Sequence, residues 1–108
     1  MPGMTLSDEQ LRELVERIVK AVHPLRVVLF GSAARGQTGP ESDVDVLVVM
    51  PDGAHRLNTA QAVYRNLAGV KVAVDVVVAT EEDMSVYKNS PGLVYREALK
   101  DGKVLYAA

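Results

Sequence analysis

The sequence predicts an α/β fold of the α+β kind, a small mixed β-sheet of about three core strands covered by helices. Segments with apolar residues at helical spacing alternate with three runs rich in β-branched residues, and no repeat, low-complexity tract or long linker interrupts them. With 108 residues and 48% hydrophobic content, the chain suffices for one compact core and is short for two, so residues 1–108 are expected to form a single domain. A chain of this size buries only about 60 to 70% of its unfolded surface, so a partner or oligomer interface would add stability.

The elements follow in order. Leu11, Leu14, Val15, Ile18, Val19 and Val22 recur at helical spacing, and Ser7 with Gln10 has the pattern of a capping box, so a helix is expected from Asp8 to Val22. His23-Pro24 turns the chain, because proline disfavours helical geometry in the residue before it, and Arg26–Phe30 reads as a strand. Gly36 to Ser42 has the composition of a loop, and a second strand is expected from Asp43 or Val44 to Met50. After Pro51-Asp52-Gly53, the positions Leu57, Ala60, Val63, Tyr64 and Leu67 fit a second amphipathic helix closed by Gly69. A third strand is expected over Val70 to Val78. Thr80 with Asp83 resembles another helix cap, and Ser90-Pro91 opens a last helix, expected to run from Pro91 to Asp101 and to stop at Gly102.

Composition narrows the function classes. The absence of cysteine excludes disulfides and thiolate metal sites and is compatible with a reducing cytoplasm. No apolar stretch approaches the ~20 residues of a membrane span, and the N-terminus has no apolar signal core, so no membrane is expected. A net charge of −2 gives no global attraction to nucleic acid. His23 and His55 read as surface or packing residues. Aromatic burial accounts for Tyr64, Tyr87, Tyr95 and Tyr106 better than base stacking does.

The chemistry is expected to lie in three aspartates. Side chains alternate along a strand, so Asp43, Asp45, Leu47 and Val49 share one face of the second strand, opposite Val44, Val46 and Val48. In the third strand the same count separates Val72, Val74, Val76 and Val78 from Lys71, Ala73, Asp75 and Val77. If the valine faces meet one core, Asp75 comes to the side of Asp43 and Asp45. Carboxylates crowded on a hydrophobic sheet repel one another unless a cation offsets them, and oxygen ligands without Cys or a suitably spaced His favour Mg²⁺ or Mn²⁺ over Zn²⁺. Taken singly, Asp43 reads as a turn cap, Asp45 as an exposed strand end, and Asp75 as an ion-pair partner of Lys71 or Arg26.

The preceding segment adds weight. Gly31-Ser32 directly follows an apolar strand; taken alone it reads as an ordinary strand-to-turn junction, but glycine here also admits backbone N–H groups to a phosphate and the serine hydroxyl can donate to its oxygen. No Gly-Lys-Ser or Gly-Lys-Thr follows, so this is not a P-loop. Leu29-Phe30-Gly31-Ser32, ten residues, then Asp43-Val44-Asp45 resembles the signature of the DNA polymerase β nucleotidyltransferase superfamily. Arg35-Gly36 and Ser42 sit where that family often has Arg-Gly and Ser, and Val74-Asp75-Val76-Val77 resembles its third-acid strand. The resemblance extends to Gly102-Lys103-Val104-Leu105-Tyr106 and is strongest to the minimal nucleotidyltransferases of prokaryotes. Ala33 departs from it, because many relatives carry a basic residue there, leaving Arg35 as the nearby cation. Arg35 fits a phosphate contact and a solvated loop charge equally.

The resemblance implies a palm-like nucleotidyltransferase fold, with Asp43 and Asp45 binding two metal ions. Asp75 would bind the catalytic one and help activate an acceptor hydroxyl. Gly31 and Ser32 would hold the triphosphate, with Arg35 and Ser42 nearby. It implies ATP as the substrate, Mg²⁺ or Mn²⁺ as the cofactor, and a helical HEPN-domain toxin as the partner, whose tyrosine hydroxyl accepts AMP. The other class is a non-catalytic antitoxin module that neutralises its partner by contact.

Overall fold

The computed structural model describes residues 8–31, 44–70, 73–87 and 102–108. Helix α1 (Asp8–Val22) leads into strand β1 (Arg26–Phe30), and β2 (Val44–Met50) is followed by α2 (Arg56–Asn66). Strand β3 (Val74–Thr80), the short helix α3 (Glu81–Tyr87) and β4 (Lys103–Ala107) complete the described elements. They form one mixed sheet in the order β3-β2-β1-β4, with β2 and β3 parallel and both pairs involving β1 antiparallel.

Alternation along the strands decides which face receives the helices. Val27, Leu29, Val44, Val46, Val48 and Val78 point to one face, where Leu14 and Ile18 of α1 and Val63 of α2 pack on them with Leu67 just beyond it. Ile18, Val27, Val46, Val48 and Val63 are fully buried, each worth about 1.5 to 3 kcal/mol relative to exposure. Arg17 fastens the two helices together: its guanidinium donates to the carbonyl oxygens of Asn66 (3.0 Å) and Ala68 (3.1 Å). The Asn66 carbonyl is an orphan acceptor at the negative end of α2, where a cation is favoured, and the Ala68 carbonyl lies in the turn just beyond it.

The helix ends account for several residues that the sequence left without a specific role. His23 closes α1 with a positive φ of 49°, its N–H donating to the Val19 carbonyl at 2.9 Å. His55 is the N-cap of α2, its Nδ1 accepting from the Asn58 N–H at 3.2 Å. The resemblance of Thr80 and Asp83 to a cap is met in full. The Asp83 carboxylate accepts from the Thr80 N–H at 3.0 Å, and the Thr80 hydroxyl accepts from the Asp83 N–H at 3.1 Å. Asp52 satisfies a further donor of α3, accepting from the Glu82 N–H at 2.8 Å.

Three expectations change. The sheet has four strands rather than three, because Lys103–Ala107 pairs with β1. A bulge between Val27 and Val28 in that pairing lets both Leu105 and Tyr106 pack toward the helix-covered core. The third strand is shifted. Val70 lies in the turn after Gly69, whose φ is +90°, its N–H donating to the Leu67 carbonyl at 3.0 Å. The strand instead runs on to Thr80, because Ala79 and Thr80 still find partners in Val49 and Met50. Tyr64 is 46% exposed rather than buried, because α2 ends beside the edge of β3 away from β2 and its hydroxyl serves that edge. The helix expected over residues 91–101 lies outside the described residues, as do Tyr87's side chain and Tyr95.

Candidate functional site

The site is set by register. Phe30 pairs with Asp45 across β1 and β2, and Asp45 pairs with Asp75 across β2 and β3, so the three side chains form one row on the face away from α1 and α2. Adjacent strands lie about 4.8 Å apart, which brings the two carboxylates to neighbouring positions on one surface. Asp45 is half-buried and Asp75 exposed. Below them lies a second apolar cluster of Val28, Phe30, Leu47, Val49 and Ala79, closed by Met84 of α3 and flanked by Val77. The acids therefore stand at the rim of an apolar layer, with the β1 terminus beside them.

Gly31 ends β1 against Asp45. A Cβ on Gly31 would overlap the Asp45 carboxylate, and the Gly31 φ of +74° is in the left-handed region. The conformation favours glycine, and any side chain here would require the Asp45 carboxylate to shift. The sequence suggested glycine here for phosphate access. The structure adds a second reason, that the Asp45 carboxylate occupies the space a side chain would need.

The alternative for Asp75 as a structural ion pair loses one of its partners. Arg26 occupies the same face but lies four residues along β1 from Phe30, about 13 Å at the usual strand rise. It pairs with Glu81 instead. Among the described residues no ion pair involves Asp75. Lys71 lies outside them, and so do Ser32, Arg35, Ser42 and Asp43.

Among the described residues no group of three His, Cys, Asp or Glu side chains could hold a metal ion; Asp45 and Asp75 supply two carboxylates. The donor chemistry fits a hard divalent cation: carboxylate oxygens on a sheet face, with no sulfur and no imidazole among the row's partners.

Asp83, on the first turn of α3, is differently engaged. The Thr80 N–H is the chief influence holding the Asp83 carboxyl below its usual value; burial opposes it, and the Thr80 hydroxyl and Arg56, 2.5 Å away, reinforce it. Asp83 is a helix cap, committed to structure.

Sequence reasoning missed Tyr64. Its hydroxyl accepts from the Val76 N–H at 2.9 Å, one residue beyond Asp75. A contact between residues 12 apart on a helix and a strand leaves no local sequence signal.

No helix among the described residues is long and apolar enough to cross a membrane. The chain is similar to a candidate nucleotidyltransferase from Sulfolobus solfataricus, at 25% identity over 92% of this chain and 78% of the other, with a TM-score of 0.62. It is similar in fold to a chain of a toxin–antitoxin complex with AMP-PNP, at 16% identity, 91% and 73% coverage and a TM-score of 0.68. A chain of the toxin–antitoxin pair MntA–HpeT aligns at 17% identity, 95% and 74% coverage and a TM-score of 0.60. No curated protein matches the sequence. The nucleotidyltransferase domain family matches residues 9–105, nearly the whole chain, and with the fold and the paired acids in place the chain belongs to that family.

Proposed function

We propose that the protein transfers a nucleotidyl group, AMP from ATP, to a hydroxyl on a partner protein, as the antitoxin of a pair with a helical HEPN-domain toxin. The observation that carries this reading is the Asp45–Asp75 register beside Gly31, in a chain of the nucleotidyltransferase domain family. The partner rests on the likeness to minimal nucleotidyltransferases and on the fold shared with the toxin–antitoxin chains.

Asp43, Asp45 and Asp75 would hold Mg²⁺ or Mn²⁺. When bound, the cation neutralises charge on the phosphoryl oxygens and favours in-line displacement. Gly31 leaves room for the triphosphate, Ser32 and Ser42 donate hydroxyl hydrogens to it, and Arg35 offers a planar pair of N–H donors. Asp75, more exposed than Asp45, either takes the proton of the acceptor hydroxyl as a base or helps activate that hydroxyl as a ligand of the cation. The hydroxyl oxygen bonds to the α-phosphorus as the bond to pyrophosphate breaks. Positioning and charge neutralisation do most of this work.

The test is incubation of the protein and its genomic neighbour's product with labelled ATP and Mg²⁺, repeated with Asp43→Asn and Asp45→Asn. Label on the partner that disappears in both variants is the expected result. A partner that is inhibited yet never labelled would replace transfer by neutralisation through contact.

A further inference from the structure

We infer that the Tyr64 hydroxyl is a positioning residue for Asp75, a tether from α2 that holds the Asp75–Val76 peptide in place on the open edge of the sheet. The inference rests on the nucleotidyl-transfer reading of Asp75.

Among the described residues β3 has a neighbour on one side only, β2. Backbone groups of successive strand residues point to opposite sides, and the Ala73 carbonyl accepts from the Val44 N–H at 2.8 Å. Ala73, Asp75 and Val77 therefore direct their backbone groups to β2, and Val74, Val76 and Val78 direct theirs outward. The peptide joining Asp75 to Val76 has its carbonyl oxygen toward β2 and its N–H toward the open edge, where the Tyr64 hydroxyl accepts it at 2.9 Å. That one peptide is held from both sides.

Position matters here more than elsewhere on β3. Beyond the Thr80 end the strand is secured by the Thr80–Asp83 cap and by burial of Val78, Ala79 and Thr80. At the Asp75 end the side chains are half-buried or exposed, so packing of Val74 and Val76 against the core fixes the strand less firmly there. Tyr64 is itself 46% exposed, so its ring contributes modestly to the core and its hydroxyl is the group with a specific partner. Loosening that end would let Asp75 drift from Asp45, its neighbour in register.

The experiment compares wild type with Tyr64→Phe, and uses Tyr106→Phe, a half-buried tyrosine on the far strand β4, as the control. Three quantities are measured: hydrogen exchange at the Val76 amide, Mn²⁺ affinity by electron paramagnetic resonance, and kcat and KM for transfer from ATP. Tyr64→Phe is expected to speed Val76 exchange roughly fivefold, as loss of one hydrogen bond does. It should weaken Mn²⁺ binding by roughly tenfold, the scale on which a ligand's supporting hydrogen bond acts. kcat should fall with KM for ATP little changed, and Tyr106→Phe should alter none of these. Faster exchange with unchanged Mn²⁺ affinity and kcat would overturn the positioning role, and so would unchanged exchange. Failure of the wild type to bind Mn²⁺ or transfer a nucleotide would instead overturn the functional reading, and with it Asp75 as the thing positioned.

Discussion

The two faces of the sheet are built from the same strands and do opposite things. The face under α1 and α2 is apolar all along β1 and β2, with Val46 and Val48 at its centre fully buried. The other face is apolar only in part: Leu47 and Val49 are as deeply buried, but the row beyond them is Asp45 and Asp75. Along β2 the two directions alternate residue by residue, Val44 to the core, Asp45 to the candidate site, Val46 to the core. Stability and the proposed chemistry are thus separated by a side-chain direction, with no distance between them along the chain. A slip of one residue in the pairing of β2 would exchange the two faces, so the valines that stabilise the fold also fix where the acids point.

The sharpest test of this contrast is to place the same charge on either side. Val46→Asp buries a carboxylate in the aliphatic core and is expected to cost more than about 4 kcal/mol, enough to unfold much of a domain this small. Asp45→Asn, one residue away, should keep the melting temperature within a few degrees while transfer falls by about 100-fold or more. A thermal melt paired with the labelling assay reads both. Equal loss of fold in the two variants would erase the distinction between the faces.

A smaller effect separates backbone strain from site geometry. Gly31 and Gly69 both have positive φ, 74° and 90°, but a Cβ at Gly69 would meet nothing within 4 Å, whereas at Gly31 it would meet the Asp45 carboxylate. Alanine at either position should cost about 1 to 3 kcal/mol from the left-handed conformation. Only Gly31→Ala should also abolish labelling, because only there must the carboxylate move. An active Gly31→Ala enzyme would break the link between this glycine and Asp45.

The smallest effect concerns the acid that belongs to structure. Asp83 has a folded-state pKa below the ordinary 3.8, so the stability it contributes is present above that value and is lost as pH falls through the lowered one. Asp83→Asn should remove about 1 kcal/mol at neutral pH, as loss of a helix cap does, and should flatten the acid limb of a melting profile without changing transfer. An altered transfer rate at unchanged stability would move Asp83 from the scaffold into the site.

Much of this was readable in advance, for reasons that differ by element. The limits of α1 and β1 coincide with those the sequence suggests, because an amphipathic period, a His-Pro turn and a β-branched run are all local signals. The shared face of Asp45 and Asp75 followed from strand parity together with the aliphatic runs. Parity could say that both acids leave the core, and the parallel register then made them direct neighbours. β4 was not foreseen, since Lys103-Val104-Leu105-Tyr106 is too short and too exposed to alternate clearly, and it becomes a strand by pairing with β1. The shift of β3 toward Thr80 has the same origin, as partners on β2 outweigh a β-branched run that begins earlier.

What the sequence determined by itself is therefore the periodic part: which residues form helices and strands, which sides of the strands are apolar, and that a Gly-Ser junction precedes paired acids at a family's spacing. The tertiary structure alone decided what meets what. Gly31 against the Asp45 carboxylate, Tyr64 on the Val76 N–H, Arg26 with Glu81 and Arg17 on the end of α2 each join residues at least 12 positions apart. Periodicity is a property of neighbours along the chain, whereas these contacts depend on how strands register and helices dock, which no local pattern contains.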